Sequence, residues 1–395
     1  MTVFFEMIGN TITYIDQVSL SHQRVLLRVD FNVSLTEQFT ISDDTRIRQS
    51  LPTIEYLLKS RNRLIIISHL GQPKERNGRY SLGSVVEYLK KVLPIYSVEL
   101  VPDFLSPGGY ESLKNQTEKQ VLVLENIRFY PEEKSNDPVF AQKLSQLGDV
   151  YVNDSFGVDH REDASVVGVP KILPHYGGLL LKKEIQAMVR IVDEPKKPFV
   201  AIMGGAKLET KLPLLSKLLD ISDTLLVGGG IANTLLAAKG YVLGQSFVDE
   251  KELGHAKDLL QLAIEKKTEL VLPRDGVVEN NEVRGVGAIQ QTEKMVDIGP
   301  ETQALFATRI ISANTIVWNG PMGLIEKKEY QKGTDFIFYA ISQNRRAYSV
   351  VGGGDTLVAL SNKEHLNYIS HISTGGGAML EFIEKGTLPG IEALK

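Results

Sequence analysis

The chain has 395 residues, of which 43% are hydrophobic and 23% charged, enough for two or three ordinary globular domains. Its net charge of −4 excludes a nucleic-acid binder that relies on bulk positive charge, and the absence of cysteine excludes disulfides and thiolate metal sites. No apolar run approaches the ~20 residues that span a bilayer, and Met1 to Glu6 lacks the basic and apolar regions of a signal peptide, so a cytoplasmic protein without a membrane partner is expected.

The first half alternates short apolar runs with segments of helical periodicity. Strands are expected at Arg24–Asp30, Arg63–Ser68, Val121–Glu125 and Val150–Val152, with helices at Asp44–Lys59 and Leu82–Leu93. Nearly continuous apolar strands between helices indicate a parallel sheet covered on both faces. Ligands of such sheets collect beyond the carboxyl ends of the strands. Asp30, Asn32, His69, Arg128 and, further along, His160-Arg161 stand there, with Arg46 near the start of the first helix. Three arginines and a histidine at one sheet edge suit a small phosphorylated acid, because guanidinium binds phosphate and carboxylate bidentately. Taken singly, His69 reads equally well as a satisfied strand-end histidine, and Arg46 as a solvated helix residue.

The character changes between Pro174 and Pro198. Lys182–Val192 is amphipathic and Asp193–Pro198 reads as a linker, which divides the chain into lobes at 1–175 and 199–378, a connector at 176–198 and a closing segment from 379. The second half then offers strands at Phe199–Met203, Thr224–Val227, Glu269–Leu272, Thr315–Trp318, Tyr348–Val351 and Ile369–Ile372. Helices fill the gaps at Lys207–Leu219, Ile231–Lys239 and Glu250–Lys267. The expected fold is α/β: two doubly wound, Rossmann-like parallel-sheet lobes of similar size, joined by a connector helix, with a cleft between them.

Gly352-Gly353-Gly354 and Gly375-Gly376-Gly377 each follow an apolar run and precede a helix; Gly204-Gly205 and Gly228-Gly229-Gly230 do much the same. Strand–glycine–helix junctions leave backbone N–H groups and the positive end of the helix dipole facing outward, a seat for anions. Asp355-Thr356 adds a carboxylate suited to Mg²⁺ and a hydroxyl suited to phosphate. One triplet alone reads as a tight turn with Asp355 or Thr374 as helix cap; four glycine-rich strand ends point to a polyphosphate and its metal. Lys207 and Lys211, four apart on an expected helix, both reach toward such a chain, although helical lysine pairs are usually solvated. The Walker A loop, the dinucleotide fingerprint, the nucleophile elbow and the zinc helix are all missing.

Together these segments resemble the phosphoglycerate kinase family along nearly the whole chain. The matching blocks are R-V-D-F-N-V at 28–33, S-H-L-G-x-P at 68–73, L-E-N-I-R-F at 124–129 and N-D-S-F-G at 153–157. They continue with G-G-A-K-x-x-x-K at 204–211, G-G-G-I-A-N-T at 228–234, W-N-G-P-M-G at 318–323, G-G-G-D-T at 352–356, S-T-G-G-G-A at 373–378 and L-P-G at 388–390. The resemblance implies that the N-terminal lobe binds 3-phosphoglycerate or 1,3-bisphosphoglycerate through Asp30, Phe31, Asn32, Arg46, His69, Leu70, Gly71, Gln72, Arg128 and Arg161. It implies a C-terminal lobe that binds Mg-ADP or Mg-ATP through Lys211, Gly229, Asn319, Glu326 and Gly353, Gly354, Asp355 and Thr356. In that reading Glu326 takes the ribose and Asp355 the metal. Arg46, Lys207, Gly375 and Gly376 would stabilise the phosphoryl group in flight, and 379–395 would return to the first lobe. Hinge closure and a monomeric state are implied as well. No general base is required, since an acceptor carboxylate with a pKa near ~4 is already ionised at neutral pH.

The chain departs from the family pattern at three places. Gln72 stands where S-H-L-G-R-P has arginine, Ser34 replaces a proline, and Gly157–Asp163 carries Asp159, Glu162 and Asp163 where G-T-A-H-R-A has no carboxylate. The first predicts poorer 3-phosphoglycerate affinity, partly compensated by Lys74; the new carboxylates are expected to face solvent. A two-lobed ATP-binding relative with an altered acceptor is the alternative. A solute-binding protein would have no use for Lys207, Lys211 and Asp355, and a dehydrogenase should carry the glycine fingerprint with an acidic residue ~20 positions on.

Overall fold

The computed structural model describes residues 11–193, 195–353, 356 and 363–395. The chain divides into two compact units. One ends at Gln186 and is rejoined by Thr387–Lys395; the other is Ala187–Gly386.

The first unit is built on a six-stranded sheet with every pairing parallel, ordered β3-β4-β2-β1-β5-β6. The strands are β1 (Arg24–Val29), β2 (Arg63–Ile67), β3 (Ser97–Val101), β4 (Gln120–Leu124), β5 (Val150–Asp154) and β6 (His175–Gly177). The apolar runs of β1, β2, β4 and β5 form the centre, as continuous hydrophobicity requires of strands covered on both faces. Val25, Leu27, Val29, Leu64, Ile66, Val121 and Val123 pack on Ile47, Ile54 and Leu57 of helix Thr45–Lys59 and on Val85 and Leu89 of helix Gly83–Val92. Edge strands β3 and β6 were not expected. β3 alternates exposed and buried residues and β6 has three residues, so neither shows a continuous apolar run. The chain steps from β1 to β2 on one side and later to β5 on the other, which makes the carboxyl end of β1 the switch point of the sheet.

The expected 176–198 connector resolves differently. Helix Leu179–Val192 begins within the first unit, where Asp154 Oδ1 accepts from the N–H groups of Leu180 and Leu181 at 2.9 and 3.1 Å. The division falls inside this helix, between Gln186 and Ala187, rather than in the Pro-rich segment. The returning segment is also shorter than 379–395. Helix Gly376–Lys385 counts with the second unit, burying Met379 and Phe382 there, and only Thr387–Lys395 rejoins the first, where the Gly390 N–H donates to Asp159 O at 2.8 Å.

In the second unit the parallel sheet runs β15-β14-β13-β7-β8-β9: β7 (Phe199–Met203), β8 (Thr224–Val227), β9 (Glu269–Val271), β13 (Thr315–Asn319), β14 (Tyr348–Gly352) and β15 (His371–Ser373). All six correspond to expected runs, β15 displaced by two residues. A second, antiparallel sheet β11-β10-β12, from Asp275–Val278 (β10), Val283–Gly285 (β11) and Met295–Ile298 (β12), was not expected. Its strands have three or four residues each, with charged positions among them, so no window shows period-two alternation long enough to read. Among the described residues no helix is long and apolar enough to cross a membrane.

Candidate active site

In the first unit, loops from the carboxyl ends of neighbouring strands converge on Asp30. Arg46, in the first turn of helix Thr45–Lys59, donates from Nη1 to Asp30 Oδ2 at 2.5 Å. The Asn32 N–H donates to Oδ1 at 3.1 Å, and His69 Nδ1 stands 3.9 Å from that oxygen. Burial alone would raise the Asp30 carboxyl, but Arg46 and His69, with the Asn32 N–H and Arg28, overcome it and hold the group down at about 2. Burial dominates at His69 and, despite Asp30, keeps the imidazole well below its ordinary value, so the ring is neutral at pH 7.

The same loops are laced together. Asn32 Oδ1 accepts from the Gly71 N–H at 2.7 Å, Arg128 Nη1 donates to Gly71 O at 2.8 Å, and the Phe31 N–H donates to Ser68 Oγ at 2.9 Å. Phe31 and Leu70 are buried beneath them. Arg128 is buried, and its Nε and Nη2 have no hydrogen-bond partner; Arg161, half-buried, has an unpartnered Nε as well. Burial first, then Arg161 and Arg28, lower Arg128 to about 10. Desolvated guanidinium donors beside one another form a seat for an anion.

Gln72 and Lys74 are exposed, as is Glu162. Asp159 and Asp163 do not face solvent, contrary to expectation. Asp159 is fully buried, its Oδ1 accepting from Asn153 Nδ2 at 2.8 Å, and buried Asp163 turns Oδ2 toward Arg128 Nη2 at 3.9 Å. The chain thus carries a carboxylate inside its basic cluster.

In the second unit the glycine-rich strand ends meet. The Gly204 N–H donates to Asn319 O, the Gly205 N–H to Pro321 O and the Gly229 N–H to Met322 O, at 2.9, 3.1 and 3.1 Å. Asn319 Nδ2 donates to Gly352 O at 2.7 Å, and the Gly320 N–H to Thr356 Oγ1 at 2.9 Å. The two triplets touch: a Cβ on Gly376 would lie 2.5 Å from Gly353 Cα, and one on Gly353, at φ +111°, 2.7 Å from Asn319 Nδ2. Only bare backbone permits that approach. Gly375 caps helix Gly376–Lys385, whose first N–H groups face away from the helix body. Gly354 and Asp355 lie outside the described residues.

Lys207 and Lys211 are not on one helix. Pro213, in the first turn, starts that helix at Leu212; Lys211 belongs to the 3₁₀ turn Glu209–Lys211, and Lys207 is exposed in the loop before it. Beside this backbone cluster a chamber of about 590 Å³ is lined by Gly205, Gly229, Phe247, Met322, Leu324 and Glu326, among others. Gly229 and Glu326 thus share the chamber, whereas Lys211, Asn319, Gly353 and Thr356 do not line it. Phe247 carried no signal in the sequence, since it sits in an ordinary loop.

A family model described as Phosphoglycerate kinase matches residues 15–386. The chain belongs to the phosphoglycerate kinase family. It is 41% identical over 396 residues to the phosphoglycerate kinase of Dictyoglomus turgidum, covering 98% of this chain and 100% of the relative. It is 44% identical over 385 residues to that of Moorella thermoacetica, covering 95% and 97%. The structure of the phosphoglycerate kinase from Coxiella burnetii superposes with a TM-score of 0.86 at 37% identity, covering 97% of this chain and 98% of that one. Membership makes the chain a glycolytic phosphotransferase with a carboxyl group as acceptor, carried on the family's α/β architecture. The family acts on ADP and ATP.

Proposed function

We propose that the first unit binds 3-phosphoglycerate or 1,3-bisphosphoglycerate through the Asp30–Arg46–His69–Arg128–Arg161 cluster, and that the glycine-rich seat of the second unit binds ADP or ATP. The observation that carries this is buried Arg128, whose Nε and Nη2 lack hydrogen-bond partners beside half-buried Arg161. Such donors need an anion, and a phosphorylated acid supplies one at each end. In the forward direction a carboxylate oxygen of 3-phosphoglycerate attacks the γ-phosphorus of ATP. The bond from that phosphorus to the bridging oxygen breaks, and ADP leaves with the electron pair. No proton moves, so the transfer needs no base, and His69 stands neutral beside Asp30.

Asp30 in turn fixes Arg46, whose remaining donors stabilise charge on the transferring group together with Lys207 and the N–H groups opening helix Gly376–Lys385. Lys211, Asn319, Gly353, Gly354 and Thr356 form the phosphate end of the seat, and Gly229 and Glu326 the nucleoside end. One carboxylate, Asp355, with the nucleotide's own oxygens matches the donor set Mg²⁺ prefers; bound there, the ion neutralises phosphate charge. Among the described residues no group of three or more acidic or histidine side chains offers another cage. The chain acts as a monomer in the cytoplasm, with small molecules as its only partners.

Replacing Arg128 by alanine tests the assignment: KM for 3-phosphoglycerate rises at least roughly tenfold while KM for ATP stays within about twofold. An equal effect on both substrates overturns it. A second reading, an altered acceptor acid, has its own support in exposed Gln72 and in Asp163 facing Arg128. It predicts turnover with another phosphorylated or carboxylic acid and none with 3-phosphoglycerate.

A further inference from the structure

We infer that Asp163 is a resident counter-charge that competes with the acid for Arg128 and so sets the affinity of the basic cluster. The inference rests on the reading that this cluster binds 3-phosphoglycerate. The other carboxylates around the cluster are engaged elsewhere. Asp30 accepts from Arg46 Nη1 at 2.5 Å. Glu133 accepts from the Ser165 hydroxyl at 2.5 Å and from the Ser165 N–H at 2.9 Å, and the same hydroxyl accepts from Arg28 Nε at 2.8 Å. Asp163 instead turns Oδ2 toward Arg128 Nη2 at 3.9 Å, and both atoms are buried without a hydrogen-bond partner. That separation is too long for a hydrogen bond but short enough for strong attraction away from water.

The geometry of Arg128 gives this placement a consequence. Its Nη1 is tied to Gly71 O at 2.8 Å, so the edge left for a ligand is the one formed by Nε and Nη2, neither of which has a partner. A phosphate or carboxylate bound bidentately needs both corners of that edge. Asp163 faces one of them. Its backbone is pinned, since Asp163 O accepts from the N–H groups of Val166 and Val167 at 2.9 Å each, at the start of the buried segment Ala164–Gly168. The carboxylate therefore stays inside the cluster. Burial, Arg161 and Arg28 press the Arg128 guanidinium down, while Asp163 and then Asp30 hold it up, so the two groups answer each other electrostatically as well as geometrically. In the empty site Asp163 balances a buried cation; an arriving anion takes the free edge of Arg128 and meets the repulsion of Asp163. Affinity for the acid is thereby held below what the arginines alone would give.

The test uses the full chain carrying Asp163→Asn, which keeps the shape, or Asp163→Ala, which removes the group. KM for 3-phosphoglycerate is measured with its Kd by calorimetric titration, which registers only folded, binding-competent chains. Both variants should lower KM and Kd for 3-phosphoglycerate roughly three- to tenfold, with KM for ATP unmoved. Glu162→Gln, which removes an exposed carboxylate one position away, should leave both within about twofold. Weaker or unchanged binding of the acid in both Asp163 variants overturns the inference, since Asp163 would then merely hold Arg128 in place or play no part. An equal gain in Glu162→Gln overturns it too, because net charge rather than the facing pair would be responsible. If Arg128→Ala leaves KM for 3-phosphoglycerate unmoved, the assignment of the acid to this cluster fails, and the inference with it.

Discussion

At the scale of single residues, the first unit uses burial to set charge states. Asp30 is held ionised by Arg46, and that pair is the one whose loss should hurt chemistry most. Arg46→Ala should lower kcat by roughly a hundredfold or more, with a smaller change in either KM, because its free donors meet charge that develops in transit. A mutant that changes only KM would reassign Arg46 to ground-state binding. Gln72→Arg offers the opposite test: restoring a guanidinium to an exposed position after Gly71 should lower KM for 3-phosphoglycerate several-fold, and an unchanged KM dismisses the idea that this departure weakens the site. Asp154 gives a pH prediction. Burial, partly offset by Thr53 and the N–H groups of Leu181 and Leu180, lifts its carboxyl to about 7. An unfolded Asp titrates near ~4. Between those values the unfolded chain releases the proton first, so the contribution to stability is full below about 4 and lost as pH rises toward 7. The Tm of the parent should therefore fall more from pH 5.5 to pH 8 than that of Asp154→Asn, which keeps an oxygen for the helix cap. Parallel Tm–pH curves for the two proteins would show that Asp154 is ionised throughout.

At the scale of elements, what the sequence disclosed follows from how strongly each element's physics marks its residues. The central strands β1, β2, β4, β5, β7, β8, β13 and β14 are covered on both faces and read as apolar runs. Edge strands β3 and β6 and the antiparallel β10–β12 are half-exposed or three to four residues long, and leave no such mark. The Lys207–Lys211 spacing fits a helix, and a helix does follow it; Pro213 decides where that helix starts, and the lysines fall before it. The buried side of Asp159 and Asp163 was illegible for another reason. Local composition marks a charged loop as solvated, while the partners that draw these carboxylates inward, Asn153 and Arg128, are fixed by tertiary contact. The glycine triplets were legible as a pair because only glycine tolerates the contact they make. Gly376→Ala should push the β14 and β15 junctions apart, at a cost of about 1–3 kcal/mol in stability and with ADP affinity reduced. Unaltered Tm and ADP binding would mean the junction yields freely.

At the scale of the whole molecule, two separate units each carry one of the proposed half-sites: desolvated arginines in one, bare glycine backbone and an apolar chamber in the other. Family membership, shown over residues 15–386, makes those halves an acyl-phosphate-forming kinase. The departures at Gln72 and Asp163 sit in the unit assigned to the acid, so it is acceptor identity, not nucleotide use, that most needs measurement. The direct test is formation of ADP from Mg-ATP with and without 3-phosphoglycerate, across a range of acid concentrations. Turnover that depends strictly on 3-phosphoglycerate and saturates with it is the predicted result. Nucleotide binding without acid-dependent turnover would contradict it, and would leave a nucleotide-binding unit joined to a basic cluster that takes a different acid.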